Sequence, residues 1–324
     1  MIERTPRDGA RKLLVRGTLG TGLLRLLSAG LGFFASILLA RRLGVGEYGQ
    51  YAFALSWVSV LGILGLAGLD RLLIRLVAAL RTQGRWDELA GLLRWSGGAG
   101  LAVSLTLAAL AAGIGSMFAA RHAAVLLSAP VAWLLAPLLV LMRLPQAALR
   151  GLNQVVRSQI PETLVQPVVL IVGIVAAGWF GGGHLTASQA LGVYAAATMA
   201  AIAVAFGLLL RVLPGEMKEV APTYQRRLWM AGALPLLLVS GLDIVNTQMN
   251  LLMLGSLAGA RAVSLYAAAD RGAGLVAFPL TAANASLAPL FAGLYATGER
   301  ERLQRLVTKS ARAILLCATV LALA

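Results

Sequence analysis

The sequence contains few charged residues, few aromatic residues and a single cysteine. Charged side chains make up 13% of the 324 residues, and because soluble domains average about 25%, this composition excludes an ordinary soluble protein. The lone Cys317 excludes a disulfide framework and a cysteine-rich metal centre. The two histidines, His122 and His184, fall in short predicted loops where we expect them to be solvated. The sequence therefore predicts neither a metal site nor a bound cofactor.

Hydrophobic residues instead make up 59% of the chain. They gather in runs that exceed the roughly 20 residues needed to cross a bilayer, and no intervening loop is long enough to hold a soluble domain. This pattern predicts an all-α, polytopic membrane protein. We place helices at residues 18–40, 48–69, 96–118, 123–142, 160–181, 187–210, 228–257, 263–294 and from 311 onward.

Basic residues outnumber acidic residues by 28 to 13, a balance that in a soluble protein would suggest nucleic acid. Here 21 of the basic residues fall in the N-terminal tail and in alternate loops, whereas four fall on the opposite side of the predicted spans. Since positively charged loops stay in the cytoplasm, we expect a cytoplasmic N-terminus and no nucleic-acid partner. The basic tail has no cleavage site, so it is not a secretion signal.

Two motifs carry a resemblance to a known family. The first is the run ILLARRLGVGEYGQYA at residues 37–52, and the second is the run LRGLNQ at residues 149–154, which leads into Pro161-Glu162. They resemble the opening hairpin, and the connection between helices four and five, of bacterial polysaccharide exporters. These exporters are the lipid-linked oligosaccharide flippases of the multidrug/oligosaccharidyl-lipid/polysaccharide exporter superfamily. The likeness extends over nearly the whole chain.

The resemblance implies a transporter of the bacterial inner membrane with a MATE-like fold, and not an enzyme. Such a protein flips polyprenyl-pyrophosphate-linked oligosaccharide from the cytoplasmic to the outer leaflet by alternating access. The implied role is surface polysaccharide or lipopolysaccharide biosynthesis. The implied partners are the lipid-linked oligosaccharide, membrane lipids, and a polysaccharide polymerase with its chain-length machinery.

Other functions compete with this hypothesis. A cation-coupled multidrug exporter of the same superfamily would favour an acidic, aromatic pocket, and the aromatic content of 6% argues against it. A membrane glycosyltransferase or polymerase would need acidic residues on a large outer loop, and the predicted outer loops are short. A non-transporting membrane assembly partner also fits, because the second half of the predicted fold is incomplete.

An internal repeat predicts how the chain is divided. A shift of 214 residues (298 − 84) pairs Gly84 with Gly298, and a shift of 215 residues (266 − 51) pairs Tyr51 with Tyr266. The period covers six predicted helices, an even number, so both copies have the same orientation and form a parallel repeat. The second copy stops at Ala324, and we favour truncation over a half-transporter. The predicted parts are a cytoplasmic tail at 1–17, a six-helix bundle at 18–211, a cytoplasmic linker at 212–227, and an incomplete second bundle of about three helices at 228–324.

Polar residues inside the predicted spans are the candidates for function, because a charge at mid-bilayer costs roughly 2.5–3.5 kcal/mol. Helix one carries Arg25 on a face with Ser28 and other small or polar residues. Helix seven carries a polar face at spacings of i, i+3, i+4 and i+7, and helix eight carries an acidic and a basic residue side by side. The residues concerned on helices seven and eight are Asp243, Asn246, Thr247, Asn250, Asp270 and Arg271.

We assign two roles to these residues. A guanidinium binds phosphate oxygens bidentately, so Arg25 is expected to meet an anionic head group, and carboxylates are expected to couple transport to protons or sodium ions. Structural ion pairs are the alternative for every charge, with Arg25–Asp243 as one candidate pair and Glu162 as a further charge. The substrate-binding candidates are Arg25, Ser28, Asn246, Asn250 and Arg271, and the ion-coupling candidates are Asp243 and Asp270.

The stretch at residues 70–95 has two interpretations. Leucines recur at helical spacing between arginines, which fits an amphipathic helix lying on an anionic leaflet. The same pattern fits a cytoplasmic extension of helices two and three. Periodicity alone does not separate these interpretations.

Overall fold

The computed structural model describes residues 6–118, 129–180, 185–296 and 298–323. Within these ranges the chain is helical and contains no strand, so the predicted all-α fold is confirmed. Residues Pro161–Val165 form a π-helical turn. The helices are α1 (Pro6–Leu66), α2 (Leu69–Gln83), α3 (Trp86–Phe118), α4 (Ala129–Gly151), α5 (Val155–Ile160), α6 (Gln166–Phe180), α7 (Ala187–Val212), α8 (Glu216–Glu219), α9 (Arg226–Leu257), α10 (Gly259–Ala296) and α11 (Arg300–Leu323).

Six helical segments of the described residues are long and apolar enough to cross a membrane, so the chain is a multi-pass membrane protein. The last two segments begin and end within two residues of the predicted helices, whereas those that begin at Trp86 and Trp133 start ten residues away from theirs, and the first segment covers two predicted helices. The segments are Leu27–Leu66, Trp86–Gly113, Trp133–Gly151, Val155–Trp179, Ala187–Val212 and Arg226–Leu257.

A single glycine interrupts the first helix. Helix α1 is interrupted at Gly44, whose backbone angles of φ 71° and ψ 175° are not helical, so the connection predicted between helices one and two shrinks to this residue. Positive φ is readily adopted only by glycine. Gly259, which lies 215 residues further on, also has positive φ (79°) and begins α10. The two glycines share a positive φ, while the parallel repeat itself stays a prediction.

Helix α2 is a separate helix that packs inside the protein. Ala67 and Gly68, with φ of 49° and 75°, break the chain between α1 and α2. Helix α3 begins at Trp86, so residues 86–95 extend the predicted helix three, as the second interpretation of residues 70–95 expected. The leucine face of α2 itself is buried against α3, α4 and α9. Its leucines cover protein and not lipid. The buried residues of α2 are Leu69, Leu72, Leu73, Val77 and Leu80.

Helices α4 and α7 pack against each other in the first half of the chain. Two helix ends there are held by hydrogen bonds across the fold. At the start of α7, the backbone N–H of Ala187 donates to Oε2 of Glu47 at 2.6 Å, next to a capping box formed by Thr186 and Gln189. At the end of α4, Arg81 donates to the carbonyl of Leu152 at 2.6 Å. A carboxylate at a helix N-terminus and a guanidinium at a C-terminus both complement the helix dipole.

Residue contacts divide the chain into two compact units, residues 37–267 and residues 1–36 together with 268–324. The first unit contains the second part of α1 and helices α2 to α9. The second unit contains the first part of α1, most of α10, and α11. The predicted boundaries at 17, 211 and 227 stay predictions. His122 and His184 lie outside the described residues.

Candidate functional site

The half of α9 that is predicted to face the cytoplasm is anchored in a hydrophobic core. Trp229 and Ala233 are 2% and 7% exposed and pack with the leucines of α2. The Trp229 ring lies 5.3 Å, centroid to centroid, from that of Trp95 on α3. Further along α9, only Ser240 and Ile244 are buried among its described residues. We call the Arg226 end of α9 its inner end and the Leu257 end its outer end, following the predicted orientation.

A row of polar residues lies along the exposed face of α9 beyond this anchor. Asp243, Asn246, Thr247 and Asn250 are all exposed in the unit formed by residues 37–267. Their spacing places them on one helical face over about 10 Å, at 1.5 Å per residue. We call these four residues the polar strip. The hydroxyl of Thr247 donates back to the carbonyl of Asp243 at 2.8 Å, which leaves the two asparagine side chains and the aspartate to face outward.

Asp243 forms an ion pair with Arg71 of α2. The two side chains remain accessible, with exposures of 39% for Arg71 and 61% for Asp243. Sequence analysis gave Arg25 as one candidate partner of Asp243, and it counted Arg71 among the basic residues of the loops predicted to face the cytoplasm. The structure instead brings Arg71 to the middle of a membrane-spanning helix. Arg71 is therefore a candidate site residue that sequence reasoning missed.

The outer end of the polar strip is joined to α10. Nδ2 of Asn250 donates to the Tyr266 hydroxyl at 3.1 Å, and Tyr266 is 36% exposed. This tyrosine was not among the sequence candidates, although the repeat had paired it with Tyr51. The strip thus begins at a charged pair and ends at an amide–phenol pair. Such a surface offers a guanidinium and a carboxylate at one end and neutral hydrogen-bonding groups at the other.

The other sequence candidates lie in the second unit, residues 1–36 with 268–324. Ser28 is half-buried on α1, and Asp270 and Arg271 are exposed on α10. The side chain of Arg25 lies outside the described residues, so its predicted contact with a head group stays a prediction. These residues belong to a different unit from the polar strip.

Glu162 has a local partner in the first half of the chain. It lies in the π-helical turn and accepts a hydrogen bond of 3.3 Å from Arg143 of α4. One turn later, Nε2 of the buried Gln166 donates to the Thr198 hydroxyl of α7 at 3.0 Å. These contacts join α4, α6 and α7, which fits the structural alternative for Glu162. In the part of the chain that the structure describes, no three histidine, cysteine, aspartate or glutamate residues cluster as metal ligands would.

The comparisons with known proteins agree with this fold. A solved multidrug resistance MATE family transporter of the MOP superfamily, in an inward-facing conformation, superposes with a TM-score of 0.62 at 18% identity, covering 91% of this chain and 68% of that one. A second solved structure gives a TM-score of 0.57 at 15% identity, covering 94% of this chain and 70% of the other. The fold is thus that of the MATE transporters.

The sequence itself identifies the family. Residues 14–294 match the polysaccharide biosynthesis protein family. The chain therefore belongs to this family, as the two motifs indicated. No curated protein matches the sequence closely enough to count as a relative.

Proposed function

We propose that this protein is a transporter that flips polyprenyl-pyrophosphate-linked oligosaccharide across the membrane by alternating access. The family and the fold support a membrane transporter of polysaccharide biosynthesis. The single observation that carries the proposal further is the polar strip with its accessible Arg71–Asp243 pair. Polar residues inside a membrane helix are energetically unfavourable, and they occur where they contact a polar ligand or another helix.

The two ends of the strip suit the two parts of such a substrate. A guanidinium pairs with phosphate oxygens, so Arg71, like Arg25 on sequence grounds, is a candidate to receive the pyrophosphate. Asparagine amides and the Tyr266 hydroxyl both donate and accept hydrogen bonds, and they suit sugar hydroxyls. The separation of about 10 Å along the helix allows both parts of one ligand to be held together.

The ion pair also supplies a way to couple transport to an ion. As long as Asp243 is ionised it holds Arg71, and a proton or sodium ion at Asp243 frees Arg71 for the pyrophosphate. Both the pyrophosphate and the coupling ion weaken the Arg71–Asp243 pair when they bind. Binding of either one therefore favours binding of the other. Asp270 is the second carboxylate proposed for this role.

Flipping in vesicles tests the proposal. The purified protein is reconstituted into liposomes that carry a fluorescent polyprenyl-pyrophosphate oligosaccharide, and movement is followed by protection from an enzyme added outside. We expect protein-dependent flipping, and little flipping of the same saccharide linked to the polyprenol without pyrophosphate. Equal flipping of both lipids would contradict the role of the arginines. Efflux of a cationic dye without flipping would favour the multidrug exporter, and neither activity would favour an assembly partner.

A further inference from the structure

The LRGLNQ motif forms a tight turn between α4 and α5. Asn153 has a left-handed conformation with φ of 64°, and its N–H donates to the carbonyl of Arg150 at 3.0 Å. The N–H of Gln154 donates to the carbonyl of Leu149 at 2.9 Å. This pair of bonds is a Schellman motif, which ends a helix abruptly. Helix α5 therefore follows at once, and Arg150 and Arg157 lie on the two sides of one turn.

The end of α2 packs directly against this turn. A Cβ on Gly151 would lie 2.6 Å from a valine Cβ of α2, so the two helices meet with no room for another side chain. One turn further along α2, Nη1 of Arg81 donates to the carbonyl of Leu152 at 2.6 Å. Since a guanidinium carries five N–H donors, this bond orients Arg81 and leaves donors for a ligand. We call Arg81, Arg150 and Arg157 the arginine corner.

The charges of the arginine corner are not neutralised by the protein. All three side chains are exposed, and among the described residues none of them forms an ion pair. Residues 71–86 and 144–161 contain no aspartate or glutamate. By contrast, Arg71, Arg85 and Arg143 each meet a carboxylate. Three unpaired cations at one place favour an anionic ligand.

The arginine corner lies at the level of the membrane surface. The candidate spans Trp133–Gly151 and Val155–Trp179 end and begin on the two sides of the turn. Leu152 belongs to the same hydrophobic core as Trp229, so the corner is at the inner end of the fold in the predicted orientation. Val155, beside the turn, is 42% exposed. Exposed arginines next to an exposed apolar side chain suit the boundary between lipid head groups and acyl chains.

From these observations we infer that the arginine corner binds the phosphate of an anionic phospholipid of the inner leaflet. A guanidinium matches phosphate oxygens with two parallel N–H groups, and basic pockets between helices at the cytoplasmic surface bind such head groups. The bound lipid joins the end of α2 to the turn between α4 and α5. A soluble phosphate offers the same chemistry, but the membrane level of the corner and the exposed Val155 favour a lipid. The inference concerns lipid binding alone and does not depend on the proposed transport function.

Quenching by brominated lipids tests the corner. A bimane fluorophore on Val155→Cys reports the lipids next to α5, in a background with Cys317→Ser that removes the exposed native thiol. The protein is placed in vesicles of phosphatidylcholine and phosphatidylglycerol, with bromine on the acyl chains of one lipid or of the other. We expect phosphatidylglycerol to quench more strongly at the same mole fraction, which gives its relative affinity. Equal quenching by the two lipids would overturn the inference.

Two double variants with the same change of charge separate a site from general attraction to a basic surface. Arg150→Gln with Arg157→Gln should lower the preference for phosphatidylglycerol about thirtyfold. Arg211→Gln with Arg227→Gln removes two other exposed arginines predicted to face the cytoplasm and should keep the preference. All four positions are exposed and Arg81 stays in place, so both variants keep the fold. An equal loss in the two variants would overturn the inference, because the preference would then follow net charge.

Two further measurements identify the ligand chemistry. Arg150→Lys with Arg157→Lys keeps both charges but loses the planar fork, so the preference should fall severalfold, and an unchanged preference would refute recognition of phosphate by the guanidinium groups. Sodium phosphate should displace phosphatidylglycerol no more than sodium chloride does at the same ionic strength. Stronger displacement by phosphate would make a soluble phosphate the ligand and refute the lipid.

Discussion

The inner and outer halves of α9 have nearly the same apolar composition but different surroundings. The inner half places Trp229 and Ala233 in a core shared with α2, whereas the outer half exposes the polar strip. Large apolar side chains are exposed on both halves. A membrane helix needs no polar residue in order to be inserted. The inner half is thus anchored in the core, whereas the outer half leaves its polar groups accessible. These are the groups that we propose to meet the ligand.

The largest effect should come from removing the inner anchor. Trp229→Ala deletes a buried ring that contacts Trp95, and such truncations cost about 3–5 kcal/mol. Met253→Ala on the outer half truncates a side chain that is 50% exposed and serves as the control. Thermal unfolding in detergent should show a lower Tm for Trp229→Ala and little change for Met253→Ala. Similar losses in both variants would remove the distinction between the two halves.

The next effect should come from neutralising the carboxylate of the polar strip. Asp243→Asn is nearly isosteric and keeps an oxygen that Arg71 can reach, so we expect normal insertion and an almost unchanged Tm. Flipping in vesicles should be abolished or lose its dependence on an ion gradient, because an amide does not bind a proton or sodium ion as a carboxylate does. Thr247→Val, which alters a hydroxyl bound within its own helix, is the control. Wild-type flipping by Asp243→Asn would reduce Asp243 to a structural residue.

The smallest effect should come from the neutral end of the strip. Tyr266→Phe removes the hydroxyl that accepts from Asn250, and one neutral hydrogen bond contributes about 1 kcal/mol. That free energy corresponds to an apparent substrate affinity lowered about fivefold, at an unchanged maximal rate. Ser256→Ala, whose hydroxyl donates to the carbonyl of Met253 in its own turn, should leave the affinity unchanged. An equal loss in the two variants would show that Tyr266 has no specific role.

The long apolar helices were predictable from the sequence, because their ends coincide with clear changes in composition. Helix α7 was expected at 187–210 and is found at Ala187–Val212, and α9 was expected at 228–257 and is found at Arg226–Leu257. Helix α2 was not predictable in the same way. The helical spacing of its leucines predicts that one face is covered. That face could be covered by membrane lipid, by a neighbouring helix or by a protein core, and the spacing is the same in each case.

Of the candidate site, only the residues on α9 were predictable from the sequence. The spacing of Asp243, Asn246 and Asn250 revealed the polar face of α9, whereas Arg71 and Tyr266 were missed. Arg71 lies 172 residues before Asp243 in the chain, and in the sequence it resembles its neighbouring loop arginines. The position of Arg71 depends on the break between α1 and α2 at Ala67 and Gly68, because this break directs α2 into the interior of the fold. A pairing of this kind follows from tertiary packing and has no local signal.

The central claim is that Arg71 and Asp243 act on the substrate and do not merely join two helices. Exchanging the charges, Arg71→Asp with Asp243→Arg, tests it most directly in vesicles loaded with the lipid-linked oligosaccharide. Each single change leaves two like charges together and should lower expression and Tm. We predict that the double variant regains expression and Tm, because opposite charges meet again, but does not flip, because the cation and the carboxylate now face the wrong parts of the ligand. Recovery of flipping to the wild-type rate would contradict the account and leave an ion pair that serves the fold alone.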